Sequence, residues 1–378
     1  MTTLTVYFCG TSSSKFDDAN ANYWNGELIS TLAKNDLGRE FANWIVIDGP
    51  GSGNQQDDEL FTKPGGYYKW NGTLFGAGWE ENVKHATHIM KGKFDWQRET
   101  LTQENYQQLQ NAGIPINDVT TEGCWLWRKY NYGNRHVTQQ QLQEQIIKTF
   151  RKDGIIPTQV NFVGWSRGGI SCHMLANAML NDSELSGIPV NILAIDPVPG
   201  LLYSSDKKVE IGSNVKEYVA FYARDERSRG FDCVVPKTFA HTKTSIYPIA
   251  GRHATLVGNA SANGAHGAKE LQEPGEIIRH YAEVCLSRWG VSLQKKLNLT
   301  IEELDEKLTK IKNDFGKYTT MRSTTYPTGS TETSGERTIS SGSDTTHFTA
   351  MSGTRFTPQK GLSVGHILTN EYFSDIAY

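Results

Sequence analysis

The feature that most constrains the fold is a set of short apolar runs without clean alternation of apolar and polar residues. Val190 to Ile195 (VNILAI) and Trp44 to Ile47 (WIVI) are typical of strands buried on both faces, which occur in parallel sheets covered by helices. Further strands are predicted at Thr3 to Phe8, Ile155 to Trp165, Val215 to Ala223 and Ile246 to Ile249. The sequence therefore predicts an α/β fold with a mostly parallel sheet and helices on both faces.

Segments with helical periodicity lie between these strands, at Leu28 to Leu37, Glu80 to Met90, Gln140 to Phe150 and Gly168 to Leu180. A repeated order of strand and helix in a chain of 378 residues favours one large domain with insertions. We assign residues 1–290 to this domain. Residues 291–378 are then a C-terminal extension.

Two long insertions, at about residues 55–75 and 92–136, interrupt the order of strands and helices. Loops of this length in a compact domain are usually functional or disordered. One interpretation is a lid or an acyl-binding wall, and the other is local apolar clusters that cover sheet edges. Their aromatic residues are Phe61, Tyr67, Tyr68, Trp70, Trp125, Trp127, Tyr130 and Tyr132.

The extension begins with a predicted helix, because Thr300 and Glu303 have the spacing of a capping box. Its apolar stripe, which we expect to dock on the core, consists of Ile301, Leu304, Leu308, Ile311 and Phe315. Beyond Gly316 the chain is rich in Ser, Thr and Gly, which predicts a flexible segment or exposed hairpins. A short apolar tail, Leu362 to Tyr378, is expected to dock back. The sequence assigns no role to residues 316–378.

Composition excludes several functions. Lys plus Arg (38) nearly balances Asp plus Glu (41) and no basic run occurs, so we expect no nucleic-acid partner. No apolar run approaches the roughly 18 residues that span a bilayer, and the start lacks a basic leader. We therefore expect a soluble chain, cytoplasmic in the producing cell, without a signal peptide.

The cysteines give no sign of a disulfide framework or a zinc site, because they are odd in number, scattered and without C-x-x-C spacing. We interpret them as core thiols and expect neither a metal nor a cofactor. They are Cys9, Cys124, Cys172, Cys233 and Cys285.

The stretch Gly164-Trp165-Ser166-Arg167-Gly168 is the strongest candidate for chemistry. It follows a predicted strand and precedes a predicted helix, the context in which G-x-S-x-G forms a nucleophile elbow. Glycine on both sides lets the backbone adopt a strained turn and lets neighbouring chain approach closely. The helix start aims backbone N–H groups at an oxyanion, the first being that of Arg167. We therefore predict that Ser166 is a nucleophile.

A serine nucleophile needs a histidine to take its proton and a carboxylate to orient that histidine. His253 is the leading base, because it follows the predicted strand Ile246 to Ile249, and His266 is the competing candidate. Asp196 ends the strand after the elbow helix and is our first choice of acid. Asp225 ends the next strand and is the second choice, with a structural pairing to a nearby arginine as its alternative. The order Ser, Asp, His is that of α/β hydrolases.

The remaining histidines carry weaker signals. His85 and His88 lie three residues apart on one helix face, but no third ligand is near, so a metal pair is not expected. His173 lies on the elbow helix and is interpreted as structural. We predict no role for His241, His280, His347 and His366.

Seven short motifs follow one another along the chain: Phe8-Cys9-Gly10-Thr11, Gly49-Pro50-Gly51-Ser52-Gly53, Gly78-Trp79-Glu80-Glu81-Asn82-Val83, Gly164 to Gly169, Ile195 to Gly200, Asp225-Glu226-Arg227 with Phe231, and Gly251 to Gly258. In this order they resemble motifs of the α/β hydrolases that include the first group of type VI secretion lipase effectors, a bacterial and fungal family. The resemblance covers about residues 3–290 and does not extend to the C-terminal part. It departs from the family at Cys9 and Thr255, where aspartates are usual, so an accessory role of those carboxylates is not carried over.

This resemblance implies an α/β-hydrolase fold with Ser166, Asp196 and His253 as a catalytic triad. It implies that Gly10 and Thr11 help to form the oxyanion hole with Arg167. It also implies hydrolysis of carboxylic esters, with phospholipid as the substrate class, and a secreted bacterial effector. Transient membrane contact, an immunity or activator protein, and export by a specialised secretion system are the corresponding expectations.

Two alternatives stay open at this stage. The chain could be a catalytically silent hydrolase-fold module that binds a lipid or a partner protein through its aromatic insertions. It could also keep the triad and act on peptides or thioesters. Fold alone does not decide among them, because one fold hosts many functions.

Overall fold

The computed structural model describes residues 2–40, 42–50, 156–200 and 210–326. It also describes 82–83, 86–87, 90–91, 337 and 373, and the backbone of 119–122 and 129–132. The predicted helix Gln140 to Phe150, the insertion at 55–75 and most of the insertion at 92–136 lie outside these residues. So do the predicted tail, apart from Phe373, and the histidines His85, His88, His347 and His366.

A six-stranded sheet with every pair parallel forms the centre of the described structure, which confirms the predicted α/β class. Its order is β2-β1-β5-β6-β7-β8. A separate antiparallel hairpin of β3 and β4 lies within the second insertion. The strands are β1 (Thr3–Phe8), β2 (Trp44–Ile47), β3 (Val119–Glu122), β4 (Lys129–Tyr132), β5 (Gln159–Trp165), β6 (Val190–Ile195), β7 (Val215–Ala223) and β8 (Lys243–Ile249).

Helices cover both faces of the sheet, as the unbroken apolar strands predict. The helices are α1 (Leu28–Asn35), α2 (Arg167–Leu180), α3 (Glu273–Arg288), α4 (Ile301–Asn313) and α5 (Phe315–Thr320), with short 3₁₀ turns at Asp17–Ala19, His253–Val257 and Met321–Ser323. Successive strand residues contribute to two separate apolar clusters. Phe162 of β5 packs in the cluster that contains α2, and Val163 packs in the cluster that contains α1, α3 and α4.

The order of the strands creates a crevice at one edge of the sheet. The chain runs from β1 outward to β2 and later returns to β5, on the opposite side of β1. In open parallel sheets, such a reversal leaves a crevice at the carboxyl ends of the two strands, where ligands bind. Here Gly10-Thr11 follows β1 and Ser166 follows β5, so both predicted site segments flank this crevice.

Helix α3 is absent from the sequence predictions. Its buried residues occupy nearly the whole surface of its central turns, including charged Arg279 and Glu283, so no single apolar stripe marks it. Proline near its start is nevertheless a helix-start signal, because the first turn has no use for the missing N–H. This helix packs against both α1 and α4.

The extension after residue 290 packs on the same core as the sheet. The predicted capping box at Thr300 and Glu303 is present. Leu304, Leu308 and Ile311 are buried, whereas Ile301 is 58% exposed and does not belong to the apolar stripe. Phe315 is half-buried.

The start of the Ser/Thr/Gly-rich segment is helical and differs from the predicted flexible segment or exposed hairpins. Phe315–Thr320 forms α5, and a 3₁₀ turn follows at Met321–Ser323. Burial of Tyr318, Met321 and Arg322 anchors this stretch, which composition alone cannot indicate. Farther on, Phe373 is buried and its ring stacks on Tyr281 at 4.7 Å between centroids.

Candidate active site

Ser166 lies on a strained turn between β5 and α2. Its backbone has φ 60° and ψ −126°, a region that L-residues rarely adopt. Such strain persists only where neighbouring structure imposes it, and here two glycines allow the close packing. A Cβ on Gly164 would lie 2.3 Å from the Gly168 carbonyl oxygen, and one on Gly168 would lie 2.2 Å from the Phe8 carbonyl oxygen. The serine is therefore held in the elbow conformation that its sequence context predicts.

The turn is fastened to the strand end that carries Asp196. The Ser166 backbone N–H donates to the Ile195 carbonyl at 3.0 Å, and the Val198 N–H donates to the Ser166 carbonyl at 3.2 Å. These two bonds lie on either side of Asp196 in the chain. The backbone of the serine and that of the aspartate are consequently held side by side at the carboxyl edge of the sheet.

Asp196 and His253 form a direct hydrogen bond, with 2.5 Å between Oδ2 of Asp196 and Nδ1 of His253. Both side chains are buried. The Ala223 N–H donates to Oδ1 of Asp196 at 3.0 Å, which fixes the orientation of the carboxylate. With Nδ1 engaged in this way, Nε2 is the imidazole nitrogen left to exchange a proton with another group.

The imidazole of His253 lies between two aromatic rings. Its centroid is 5.0 Å from that of Trp165, the residue directly before Ser166, and 5.0 Å from that of Phe231. Nε2 of His253 is buried and has no hydrogen-bond partner among the described residues. A buried polar atom without a partner calls for an explanation, and a catalytic role is one of them. The base is thus placed beside the serine's own strand.

Asp225, the alternative acid, is engaged by arginines instead of an imidazole. Arg322 donates to its Oδ1 from Nε at 2.9 Å, and Arg224 approaches its Oδ2 from Nη2 at 3.2 Å. The Gly251 N–H also donates to Oδ2, at 2.9 Å. The carboxylate therefore ties the loop before His253 to the 3₁₀ turn that follows α5. Arg224 is one of the nearby arginines that the sequence offers as structural partners, together with Arg227 and Arg229, whereas Arg322 was not predicted.

The other described histidines lie elsewhere. His266, the competing base, is exposed, and its backbone N–H is bonded to the Asn263 side chain. His173 is buried with Nε2 3.0 Å from the Tyr218 hydroxyl, in keeping with a structural role. Nε2 of His241 lies 2.8 Å from the Ser213 carbonyl oxygen, and Nδ1 of His280 accepts from the Leu299 N–H.

The loop that carries His253 is held by its own polar contacts. Glu226 accepts from the His253 backbone N–H at 3.2 Å through Oε2, and Arg252 pairs with the same carboxylate. The hydroxyl of Thr255, which stands where the resembling family has aspartate, accepts from the Arg252 N–H at 3.1 Å. Thr255 therefore caps the 3₁₀ turn at His253–Val257, a role that its hydroxyl fills without a charge.

The predicted oxyanion segments also meet at this edge. Arg167 starts α2, and its Nη1 donates to the Thr11 hydroxyl at 3.1 Å, which joins the loop after β1 to the elbow helix. Burial lowers the pKa of Arg167 to about 10, so it remains a cation at neutral pH. A Cβ on Gly10 would lie 2.3 Å from the Trp165 ring, so only glycine lets this loop approach the elbow so closely.

Arg337 is the residue of the site that the sequence did not reveal. Its Nη1 donates to Oδ1 of Asp196 at 2.9 Å, and its Nη2 donates to Oδ2 at 3.1 Å. It also donates to the carbonyl oxygens of Ala223 and Phe231. Burial by itself would raise the pKa of Asp196, but Arg337 and His253 outweigh burial and lower it to about 2. The one available signal is that Arg337 is the sole basic residue between positions 323 and 346.

The four described cysteines are buried thiols that form no disulfide: Cys9, Cys172, Cys233 and Cys285. Burial raises the pKa of each thiol, which keeps them protonated at neutral pH. Within the described ranges, no group of three or more His, Cys, Asp or Glu side chains is arranged to hold a metal ion. None of the helices found there is long and apolar enough to cross a bilayer.

Comparison with known proteins gives weak structural similarities. No protein-family model and no curated protein matches the chain. An uncharacterized protein from Pseudomonas aeruginosa is 14% identical with a TM-score of 0.46, over 80% of this chain and 48% of that one. The Tle1 effector bound to the VgrG spike of the type 6 secretion system is 13% identical with a TM-score of 0.31, over 68% of this chain and 50% of that one. The chain thus spans about half the length of either structure.

Proposed function

We propose that this protein is a serine hydrolase that cleaves carboxylic esters, with Ser166 as nucleophile, His253 as general base and Asp196 as the acid that orients it. The observation that carries the proposal is the Asp196–His253 bond through Nδ1, which leaves the buried Nε2 without a partner among the described residues. The imidazole lies 5.0 Å from the ring of Trp165, the residue before the strained Ser166. A hydroxyl is a weak nucleophile until a base removes its proton, and a base with one nitrogen anchored is arranged for that transfer.

The reaction proceeds in two halves. Nε2 of His253 takes the proton of the Ser166 hydroxyl while Oγ bonds to the ester carbonyl carbon. The carbonyl oxygen becomes an oxyanion at the N-terminus of α2, where backbone N–H groups, with those of the loop at Gly10-Thr11, stabilise it. The C–O bond of the ester then breaks, and His253 returns the proton to the departing alcohol. Water, deprotonated by His253, then attacks the acyl carbon. The bond between that carbon and Oγ breaks, the carboxylic acid leaves, and His253 returns the proton to Ser166.

The motif resemblance extends the proposal to the substrate. It supports lipid esters, with phospholipid as the leading class, and the role of an exported effector that touches a membrane only while it acts. A cytoplasmic origin, a specialised export route and an immunity or activator protein belong to the same proposal. The aromatic insertions at about 55–75 and 92–136 are then candidates for the acyl-binding wall.

Labelling with a fluorophosphonate probe tests the catalytic core. We expect the parent protein to be labelled at Ser166 and Ser166→Ala to escape labelling, with hydrolysis of short-chain and phospholipid esters reduced about 10⁴- to 10⁶-fold. Ser171→Ala is the matched control, because Ser171 is a buried serine on the same helix whose hydroxyl donates to the Arg167 carbonyl. It should keep the labelling.

Two outcomes would reject the proposal. If Ser166→Ala hydrolyses esters as fast as the parent, the nucleophile lies elsewhere. If the folded parent resists the probe and binds lipid vesicles without turnover, the silent binding module is the better description. Product analysis on a panel of esters, thioesters and peptides separates the substrate classes.

A further inference from the structure

Arg337, although far from the elbow in sequence, contacts the carboxylate of Asp196. Its side chain is 1% exposed, and its two terminal nitrogens bond both oxygens of Asp196. The same carboxylate accepts from Nδ1 of His253. A guanidinium, one carboxylate and an imidazole therefore lie in a row, with the carboxylate shared between the other two.

This sharing has a direct electrostatic consequence. A carboxylate beside an imidazole stabilises the imidazolium, and a fixed cation on the far side of the carboxylate opposes that stabilisation. A base that is already protonated cannot accept the proton of Ser166.

We propose that Arg337 is a positioning residue that keeps Asp196 ionised and oriented while it holds His253 in the neutral form at lower pH. The proposal rests on the proposed function for its catalytic meaning. Its physical content, an effect of Arg337 on the protonation of His253, does not depend on turnover.

Other charged and titratable groups around the pair do not replace Arg337. Glu226, on the loop after β7, is paired with Arg252, so their charges offset each other beside His253. Tyr326, whose ring centroid is 6.4 Å from that of His253, has its pKa raised by burial and stays neutral.

Three further titratable groups close to Asp196 or Arg337 do not replace Arg337 either. Burial raises the pKa of Tyr222 well above its usual value and that of Cys233 to about 12, so both are neutral at pH 7. Burial lowers the pKa of Arg227 to about 10, and its Nη1 is turned to the carbonyl oxygens of Arg224 and Glu226. Arg337 is thus the cation that bonds the Asp196 carboxylate directly.

The test is an NMR titration of the His253 imidazole in full-length protein with labelled histidine, assigned with His253→Asn. We expect Arg337→Gln to raise the pKa of His253 by about one unit. The acid limb of fluorophosphonate labelling should move to higher pH by the same amount. Arg337→Lys keeps a charge near Asp196, so it should shift the pKa by less than about half a unit.

Arg322→Gln is the matched control. Arg322 is also buried and also reaches the sheet from beyond residue 316, but it bonds Asp225 and not Asp196. Its replacement should lower stability and leave the pKa of His253 unchanged. If Arg337 were merely structural, Arg337→Gln would also lower stability and leave the pKa of His253 unchanged. The titration therefore separates the two roles.

Each result decides the matter. An unchanged or lowered pKa of His253 in folded Arg337→Gln overturns the proposal, as does a rise of a full unit in Arg337→Lys. If Arg337→Gln does not fold, the titration of Arg337→Lys still tests the proposal, because a rise of a full unit in the pKa of His253 there overturns it. A parent protein that the probe does not label rejects the proposed function, whereas the titration still reports on Arg337.

Discussion

Asp196 and Asp225 are a natural pair for a decisive substitution, because the structure gives them similar surroundings and different partners. Both carboxylates are fully buried, each accepts one backbone N–H, and each is bonded by arginine. Asp196→Asn leaves the guanidinium of Arg337 buried beside a neutral group, and Asp225→Asn does the same to Arg322. Breaking a buried ion pair by removing one partner costs about 3–5 kcal/mol, so both variants should be destabilised to a comparable extent.

Catalysis should separate the two variants. Among the described carboxylates, Asp196 alone bonds the imidazole. Asp196→Asn should therefore lower kcat for a short-chain ester by about 10⁴-fold, which corresponds to about 5.4 kcal/mol of barrier. Asp225→Asn should stay within about tenfold of the parent, because Asp225 acts on the His253 loop only through Gly251. Steady-state kinetics, run at a temperature where denaturation curves show both variants folded, provide the comparison.

The reverse pattern would refute this reasoning. A folded Asp225→Asn with a 10⁴-fold loss, beside an active Asp196→Asn, would make Asp225 the acid in spite of its arginine partners. Equal and large losses in both folded variants would mean that the two carboxylates act as one network. The Asp196–His253 bond would then be insufficient to identify the acid.

Two further predictions concern stability. Burial raises the pKa of Glu27, whose side chain caps α1, to about 7, so the group adds stability below its ordinary pKa of 4.5 that is lost as the pH rises through 7. Glu27→Gln should therefore remove up to about 3 kcal/mol of pH dependence between urea titrations at pH 4.5 and pH 8, and an unchanged dependence contradicts this. Gly164→Ala should destabilise by about 1–3 kcal/mol and slow probe labelling, because its Cβ would meet the Gly168 carbonyl. Gly187→Ala, whose Cβ meets nothing within 4 Å, is the control, and equal stability of the two variants would refute the steric argument.

Most of the sheet could be predicted from the sequence because local composition determines it. Strands buried on both faces must be apolar throughout, and the predicted limits of β1, β2, β6 and β7 agree with the structure. β5 begins at Gln159, four residues after the predicted Ile155, and β8 begins at Lys243, three residues before the predicted Ile246. Strand ends are set by pairing with neighbours, which single-sequence patterns do not contain.

The site divides in a similar way. Ser166, Asp196 and His253 each follow an apolar strand, and parallel strands bring their carboxyl ends to one edge, so the meeting of these segments can be predicted from the sequence. Which of Asp196 and Asp225 contacts the imidazole cannot be predicted in this way, because both follow apolar strands and arginine bonds both. Arg337 and Phe373 come from segments without periodicity, and they pack through contacts across more than 90 residues of chain. Long-range pairing of this kind leaves no local trace.

The place of Arg337 in the chain has a consequence for biosynthesis. Synthesis runs from the amino terminus, so Ser166, Asp196 and His253 are all made before the guanidinium that bonds Asp196. The core that surrounds them is completed later still, because Phe373 belongs to it. A chain that ended before residue 337 would therefore contain all three side chains and lack the cation that bonds both oxygens of Asp196.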